Sequence, residues 1–345
     1  MKIVVLAGGL SPERDVSLSS GSLIANSLIK SGYDVMLLDL YLGINNKDIK
    51  PEYKNKYSKE LYSYKIPDHE PDLEKLKKES NNKEVLIGEK VLDICKDADI
   101  VFMALHGGIG ENGKIQALFD IYDINYTGTG YEGSLLAMDK DLSKKIMKEN
   151  NILTANWQTV NSSNINKENI KLPCVVKPTS CGSSVGISLV TTEEELETAL
   201  EEAKKWEDQI IIEEMIKGRE FSIGVLDNKA LPIIEIKPKE GFYDYKNKYQ
   251  SGCTEEICPA HLTQEEQNYL QQCALNVHEA LRLGYYSRID FILNEEGKAY
   301  CLEANTLPGM TPISLLPQEA NANGMTYDKL CEDLALSAKK KVRRR

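Results

Sequence analysis

Apolar and polar positions form alternating blocks in the first part of the chain. Three apolar runs, at residues 3–7, 34–40 and 98–105, predict buried strands. Between the first two runs, residues 17–31 predict a helix. Strands that alternate with helices are typical of a parallel α/β sheet. The pattern therefore predicts a small parallel sheet at the N-terminus, interrupted by a long polar excursion over residues 41–84 that has no clear period and has room for short helices.

The rest of the chain predicts further helices and strands, without an internal repeat. Helices are predicted at residues 140–150, 193–205 and 264–283. Thr191 and Thr192 with Glu195 resemble a capping box, which marks the start of the second of these helices. Strands are predicted at residues 174–177, 210–214, 220–226 and 231–237.

Two short apolar strands near the C-terminus carry most of the candidate chemistry. Residues 287–293 and 299–304 flank the turn 294–297, which predicts a hairpin. The hairpin would bring Asp290, Glu303 and Asn305 to one end, and hard oxygen ligands of this kind suit Mg²⁺. Arg288 is two residues before Asp290, so the two side chains should project from the same face of the strand. An exposed acidic hairpin with a salt bridge is the alternative interpretation.

Composition and charge narrow the class of protein. A chain of 345 residues with 41% hydrophobic and 28% charged residues predicts a globular protein of two or three domains. The net charge of −11 argues against a nucleic-acid partner, although the tail 340–345 is basic. The eight cysteines form no C-x-x-C pair, so we expect reduced thiols, a cytoplasmic location and no zinc site. No signal segment or membrane-spanning apolar run is recognised, so we expect no membrane partner.

Two glycine-containing segments are candidates for binding phosphate. Residues 108–114 have the spacing of a P-loop, but Ile115 stands where a hydroxyl should hold Mg²⁺. Residues 177–186 fit better, because Lys177 precedes a loop with two glycines and several hydroxyls. Backbone N–H groups in such a loop can bind phosphate oxygens. The alternative is a Ser- and Gly-rich surface hairpin.

Taken together, these segments resemble a known family. Lys140 in Met-Asp-Lys, Lys177 in Val-Val-Lys-Pro and the run 211–216 are similar to those of ATP-grasp enzymes. The chain resembles, more narrowly, the D-alanine–D-alanine ligases. The likeness is carried in the family's order by residues 8–17, 106–113, 180–186, 242–249, 288–305 and 305–315.

The resemblance implies a reaction and a set of partners. ATP would phosphorylate the carboxylate of one D-alanine, and the amine of a second D-alanine would attack the acyl phosphate, giving D-alanyl-D-alanine for peptidoglycan. Two Mg²⁺ ions, with Mn²⁺ as a substitute, would be the cofactors, and a homodimer is expected. One alternative is a ligase that takes another second substrate, such as D-serine. Another is a non-catalytic relative that binds nucleotide and regulates.

The resemblance also implies roles at the first substrate. Glu13 would hold the ammonium of the first D-alanine, and His106 would assist it. Ser183 would bond to Glu13 and Tyr249 in a closed lid that excludes water. Two of these residues have a structural alternative: Glu13 could be a carboxylate at a helix N-terminus, and His106 could satisfy backbone groups.

Further roles are implied for the intermediate and the second substrate. Arg288 and the Gly309 N–H would stabilise negative charge on the tetrahedral intermediate. The residues implied to hold the second substrate are Lys248, Ser314 and Leu315. Members that use D-lactate typically have a histidine in place of Tyr249, so the tyrosine favours the dipeptide-forming type. Asn112, where the family usually has aspartate, and Cys181, inside the phosphate loop, are departures from the family pattern.

The nucleotide and the metal ions have their own implied ligands. Lys140 and Lys177 would contact the α- and β-phosphates, and the loop 180–186 would enclose these phosphates. The Glu213 side chain, together with the backbone of Glu214 and Ile216, would recognise adenine. Glu220 would bind the ribose hydroxyls. This ATP-binding set is Lys140, Lys177, Ser180, Gly182, Ser184, Glu213, Glu214, Ile216 and Glu220. The metal set is Asp290, Glu303 and Asn305.

The implied fold is α/β, with a Rossmann-like N-terminal domain followed by a two-lobed ATP-grasp body. The expected boundaries are 1–133 for the N-terminal domain, 134–218 and 219–339 for the two lobes, and 340–345 for the tail.

Overall fold

The structure, a computed structural model, describes residues 1–67, 71–80, 85–163, 165, 170–182, 185–239 and 254–340. The chain divides into two compact units. The first consists of Met1–Ser134, Gly284–Ser287 and Thr306–Arg345, and the second of Leu135–Leu283 and Arg288–Asn305. The chain thus returns twice to the first unit, which the sequence patterns did not predict. The domain boundaries at residues 133 and 218 remain predictions.

A parallel sheet forms the centre of the first unit, as predicted. Its strands, in the order β2-β1-β3, are β1 (Lys2–Ala7), β2 (Asp34–Asp39) and β3 (Ile100–Met103). The apolar runs are buried on both faces, as is usual for parallel strands. Helix α1 (Arg14–Lys30) packs so closely on β1 that a Cβ at Gly21 would lie 2.7 Å from the Cβ of Ala7.

Helix α1 begins three residues earlier than the expected start at residue 17. Ser17 does not cap the helix: its Oγ donates to the carbonyl of Ala104 and accepts from the Gly8 N–H. Instead, the Arg14 N–H donates to the Ser11 carbonyl and so forms a turn directly before the helix.

The polar excursion packs back onto this unit through tyrosines. The Tyr62 hydroxyl donates to the Val35 carbonyl, and the Tyr64 hydroxyl donates to Asp15 of α1 at 2.5 Å. The excursion contains one short helix among its described residues, α2 (Leu73–Glu79).

The first unit has further helices. These are α3 (Val91–Asp97), α4 (Lys114–Ile121), α5 (Tyr131–Met138), which continues into the second unit, and, after the final return of the chain, α9 (Leu315–Ala322) and α10 (Tyr327–Ser337).

An antiparallel sheet of four strands forms one part of the second unit. Its order is β4-β7-β5-β6, with β4 (Trp157–Asn161), β5 (Cys174–Pro178), β6 (Ser188–Val190) and β7 (Gln209–Glu214). Helix α7 (Glu193–Lys204) covers it with Leu196 and Leu200. The predicted capping box is confirmed, because Thr192 Oγ1 accepts from the Glu195 N–H and the Glu195 carboxylate accepts from the Thr192 N–H.

A second antiparallel sheet forms the other part of this unit. Its order is β11-β10-β8-β12-β13, with β9 on β8. The strands are β8 (Arg219–Leu226), β9 (Lys229–Ala230), β10 (Ile234–Pro238), β11 (Thr254–Ile257), β12 (Tyr286–Leu293) and β13 (Ala299–Asn305). The helices of the unit also include α6 (Lys140–Glu149) and α8 (Gln264–Ala280). Phe221, Ile289 and Leu270 belong to its apolar core.

Two of the predicted elements in the second unit differ by three residues at one end. The expected strand 231–237 begins only at Ile234, because Pro232 has no N–H to donate to a ladder. The expected helix 264–283 ends at Ala280, because Arg282 adopts a left-handed conformation with φ of 54°.

Among the described residues, no helix combines the length and apolarity needed to cross a membrane.

A buried carboxylate organises the carboxyl ends of β1 and β2. Asp39 forms an ion pair with Arg14 and accepts hydrogen bonds from the Tyr41 N–H and the Asn46 side chain. Gly8 has φ of +70°, and a Cβ there would lie 2.8 Å from the Asp39 Oδ2. Asp39 therefore holds the loop that leads from β1 into α1.

We predict that Asp39→Ala lowers the free energy of unfolding by about 3–5 kcal/mol, because Arg14 would keep a buried and unpaired charge. Urea unfolding followed by far-UV circular dichroism measures this. The matched control is Asp93→Ala, which removes an exposed ion pair with Lys90 and should change little. Equally small losses in both variants would contradict the role assigned to Asp39.

Candidate active site

The predicted hairpin is confirmed, and its register brings the candidate metal residues together. Asp290 lies opposite Glu303, and Arg288 lies opposite Asn305. Because directly opposed residues share a face of an antiparallel pair, all four side chains project from the same face. A register shift after Asp290 places one extra residue on β13. The turn 294–297 closes the hairpin through Asn294, whose side chain accepts from the Glu296 and Lys298 N–H groups.

Asp290 is the centre of the hydrogen bonds at this end of the hairpin. Its Oδ1 accepts from Arg288 Nε at 3.0 Å and from the Ser222 hydroxyl at 2.7 Å. Its Oδ2 accepts from the Arg288 guanidinium at 2.7 Å and from the Asn305 amide at 3.0 Å. Arg288 is thus a bidentate partner of Asp290, which agrees with the expected shared face.

The predicted metal set fits Mg²⁺ by the chemistry of its donors. Glu303 and Asp290 supply carboxylate oxygens, and Asn305, which donates through its amide nitrogen, keeps its carbonyl oxygen as an acceptor. Among the residues that the structure describes, no group of three His, Cys, Asp or Glu side chains is arranged to hold a metal ion. The predicted set is not a group of that composition, because its third member is an asparagine.

Lys140 connects the start of α6 to the predicted phosphate loop. The Asp139 side chain caps this helix by accepting from the Asp141 and Leu142 N–H groups. The Lys140 N–H donates to the Thr179 carbonyl at 3.0 Å, and its ammonium donates to the Cys181 carbonyl at 2.6 Å. Burial lowers the pKa of Lys140, and the negative charge of Glu303 offsets part of that effect.

A buried carboxylate lies between two further lysines on neighbouring elements. Glu213 Oε1 lies 2.5 Å from the Lys177 ammonium, and Glu213 Oε2 lies 2.8 Å from the ammonium of Lys144. Burial by itself would raise the pKa of Glu213, but the two lysines outweigh burial and hold it below its usual value. Burial lowers the pKa of Lys144, and Glu213 counteracts this. We call Lys144, Lys177 and Glu213 the lysine–glutamate cluster.

The described part of the predicted phosphate loop is held by one hydrogen bond to a residue outside the loop and by one within it. The Ser180 N–H donates to the Glu207 carboxylate at 2.8 Å, and the Val185 N–H donates to the Gly182 carbonyl at 3.1 Å. Gly186 has φ of +69°, and a Cβ there would lie 2.9 Å from both Pro178 and Trp206. The loop therefore requires glycine at its end because backbone and side chains approach so closely.

The predicted adenine and ribose residues lie on β7, β8 and the link between them. Glu214 is exposed, and its carboxylate accepts from the Asn156 amide at 2.9 Å. Ile216 follows β7 and is half-buried. Glu220 is half-buried on β8, opposite Ile236 of β10.

Two groups of predicted substrate residues are brought together within the first unit. A Cβ at Gly107 would lie 3.0 Å from the Glu13 carboxylate, so Glu13 at the start of α1 lies beside the His106 loop. His106 Nδ1 is 3.1 Å from the carbonyl of Leu307. Two residues later, a Cβ at Gly309 would lie 2.9 Å from the Ser314 hydroxyl.

Ser314 and Leu315 lie at the start of α9. The Ser314 hydroxyl accepts from the Thr311 N–H at 3.1 Å and lies 2.8 Å from the Thr311 hydroxyl. Leu315 is buried as the first residue of the helix.

Comparison with known proteins identifies the family. A model of the D-ala D-ala ligase N-terminus matches residues 2–129, and a model of the D-ala D-ala ligase C-terminus matches residues 142–335. The chain belongs to the D-alanine–D-alanine ligase family. The D-alanine–D-alanine ligase of Pediococcus pentosaceus is 45% identical over 348 residues, with 99% of this chain and 98% of the relative covered. That of Lacticaseibacillus casei is 43% identical over 340 residues, with 97% and 94% covered.

Solved structures agree with the family assignment. The crystal structure of D-alanine–D-alanine ligase from Bacillus anthracis has a TM-score of 0.78 at 31% identity and covers 99% of this chain and 98% of that one. Its complex with ATP has a TM-score of 0.76 at 29% identity, with the same coverage. The resemblance and the α/β fold class are thereby confirmed, and the ligase family uses ATP.

Several residue predictions of the family pattern lie outside the described part of the chain. These are Ser183, Ser184, Lys248 and Tyr249.

The segment with P-loop spacing folds differently from a P-loop. Gly108–Gly110 forms a 3₁₀ turn, and the Gly107 N–H donates to the Glu111 carboxylate at 2.6 Å. The Glu111 carboxylate thus lies against a backbone N–H at the start of this segment, whereas a P-loop offers its backbone N–H groups to phosphate.

Two buried residues of the candidate site were not predicted from the sequence, Ser222, which donates to Asp290, and Lys144. Lys144 lies one helical turn after Lys140 on α6, and residues four apart share a helix face. That spacing was the available signal. The partner, Glu213, is far along the chain, so the ion pair itself is not visible in the sequence.

Proposed function

We propose that this chain joins two molecules of D-alanine to D-alanyl-D-alanine, converting ATP to ADP and phosphate through an acyl phosphate. The observation that carries the proposal is the hairpin, which brings Arg288, Asp290, Glu303 and Asn305 to one face in a chain that matches the family over its whole length. A guanidinium beside hard oxygen ligands suits phosphoryl transfer to a carboxylate. The wider setting proposed from the family is a cytoplasmic homodimer that serves peptidoglycan synthesis.

The buried lysines of the second unit support binding of a nucleotide. Lys140, Lys144 and Lys177 place three ammonium groups near one another, and the lysine–glutamate cluster contains a single carboxylate, Glu213. Buried charge of one sign is unfavourable unless a counter-charge approaches. The phosphates of ATP would supply that charge at Lys140 and Lys177, with Ser180, Gly182 and Ser184 in the loop enclosing them. The remaining ligands proposed for adenine and ribose are Glu213, Glu214, Ile216 and Glu220.

The hairpin is the proposed metal site. Asp290, Glu303 and Asn305 would hold Mg²⁺, which when bound neutralises charge on the transferred phosphoryl group. Arg288, held in place by both oxygens of Asp290, would present its remaining N–H groups to the developing negative charge.

The substrate roles are proposed residue by residue. Glu13 would hold the ammonium of the first D-alanine with the help of His106, and the Gly309 N–H would donate to the tetrahedral intermediate. Ser183 and Tyr249 would help to exclude water, which otherwise hydrolyses an acyl phosphate. The residues proposed for the second substrate are Lys248, Ser314 and Leu315.

We predict that the purified protein releases phosphate from ATP only when D-alanine is present and that D-alanyl-D-alanine accumulates. A coupled phosphate assay with chromatography of the product measures both, with L-alanine as the control. D-serine as a second substrate tests the alternative ligase. Phosphate release without dipeptide formation would refute the proposal.

We predict that Glu303→Gln lowers kcat by about 10²-fold or more, because one charge-stabilising group of the transition state is lost. The control is Glu296→Gln in the turn of the same hairpin, where the carboxylate is exposed and pairs with Lys298. That variant should keep the parent kcat, and both variants should keep the parent melting temperature. An unchanged kcat in Glu303→Gln at saturating Mg²⁺ would show that the hairpin is only structural.

We predict that Tyr249→His raises the use of D-lactate relative to D-alanine as the second substrate, and more so as the pH falls toward about 6. A histidine with a reference pKa of about 6.5 becomes cationic on acidification and repels the ammonium of D-alanine, whereas a phenol with a reference pKa of about 10 stays neutral. Competition between the two acceptors from about pH 6 to 9 measures the product ratio. A ratio that equals the parent's at every pH would contradict this role.

A further inference from the structure

Lys144 has no role in the proposed chemistry, yet its buried ammonium has several partners in the second unit. Its ammonium is 2.6 Å from the Thr154 hydroxyl, 3.3 Å from the Ala155 carbonyl and 2.8 Å from Glu213. It also lies 5.5 Å from the ring centre of Trp157. Thr154 is itself fixed, because its hydroxyl donates to the Cys301 carbonyl on β13 at 3.0 Å. Burying a lysine is unfavourable, so these acceptors must compensate for the lost water.

Lys177, the other lysine of the cluster, is held differently. Across the part of the chain that the structure describes, its ammonium donates to Glu213 alone. The two lysines also use different oxygens of the carboxylate, Oε1 for Lys177 and Oε2 for Lys144. Glu213 therefore has one counter-charge, Lys144, that is also bound to other groups and one, Lys177, for which the described residues supply no second acceptor.

This difference matters once a nucleotide binds. If Lys177 turns to the phosphates, Oε1 of Glu213 becomes an open acceptor, while Oε2 keeps its partner. Without Lys144, the buried carboxylate would lose both counter-charges and would tend to take up a proton. A protonated carboxyl group can itself donate a hydrogen bond to a carbonyl oxygen. It therefore no longer favours a ligand that donates over a ligand that accepts.

We propose that Lys144 is a positioning residue for the nucleotide: it keeps Glu213 charged and oriented while Lys177 turns to the phosphates, so that Oε1 accepts a hydrogen bond from a 6-aminopurine in preference to a 6-oxopurine. The proposal rests on the nucleotide roles proposed above for Lys177 and Glu213. It assigns to Lys144 no contact with the nucleotide.

The test compares Lys144→Met with Lys145→Met, the same change one residue along the helix. Lys145 is exposed and pairs with Asp141, so its replacement should leave activity and nucleotide binding at parent values. The Kd values for ADP and GDP are measured by titration calorimetry, together with the KM for ATP and kcat. Lys144→Met should weaken ADP binding and raise the KM for ATP by about 10- to 100-fold, as expected for losing a hydrogen bond to a charged group. GDP binding should change little, and kcat should stay within about threefold, because the chemical step is not touched.

Two further variants keep the proposal open to refutation. In a Glu213→Gln background, adding Lys144→Met should not reduce the preference for ADP any further, because both act through the same carboxylate. If Lys144→Met does not fold, Thr154→Val takes its place, since it removes one acceptor of Lys144 and leaves every charge. It should then reduce the ratio of ADP to GDP affinity as well.

The outcomes separate this proposal from the proposed function. A parent protein that binds no ADP or makes no dipeptide refutes the function. An active parent whose Lys144→Met variant binds ADP normally, or loses ADP and GDP affinity in parallel, overturns the positioning role alone. An unchanged affinity ratio in Thr154→Val overturns it in the same way.

Discussion

The second unit depends on how buried charges are compensated where water is excluded. A charge moved from water into a protein interior loses several kcal/mol of solvation, on the order of 20 kcal/mol in the idealised limit. The lysine–glutamate cluster meets this requirement only with close pairing: each oxygen of Glu213 faces one ammonium, and the carboxylate has its pKa held low although it is buried. Buried ion pairs of this kind seldom stabilise a fold better than apolar residues of similar volume would. Stability comes instead from apolar cores such as the one around Phe221 and Ile289. We therefore connect these charges with the proposed binding of a nucleotide rather than with stability.

At the hairpin the buried charge is negative, and hydrogen-bond donors compensate it. Asp290 is surrounded by donors, of which Arg288 takes both oxygens and Ser222 and Asn305 take one each. Because these donors use the lone pairs of both oxygens, a divalent cation could bind Asp290 only by displacing one of them. If the displaced donor is Arg288, a metal ion at this proposed site would be coupled through one carboxylate to the orientation of the guanidinium. Glu303 extends the coupling, since its charge also acts on Lys140.

Local features of the fold were predictable from sequence, and long-range ones were not. The buried strands of the parallel sheet, the capping box at Thr192 and the turn of the hairpin depend on neighbouring residues, so their patterns are complete within short segments. The early end of the helix at Ala280 depends on a left-handed residue that no period reveals. The ion pairs Asp39–Arg14 and Lys144–Glu213 join residues that are distant in the chain. Their identity is visible in the sequence, but the choice of partner is fixed only by packing.

Lys140 shows how local and long-range constraints combine at the candidate site. Burial lowers the pKa of Lys140, and a cation in the first turn of a helix is also unfavourable beside the positive end of the helix dipole. Asp139 relieves part of this unfavourable field by capping the helix, and the Cys181 carbonyl accepts from the ammonium. Neither partner supplies a full opposite charge in direct contact with Lys140. A phosphate anion at this position would satisfy the ammonium and the helix terminus together, adding a direct counter-charge to the more distant one of Glu303.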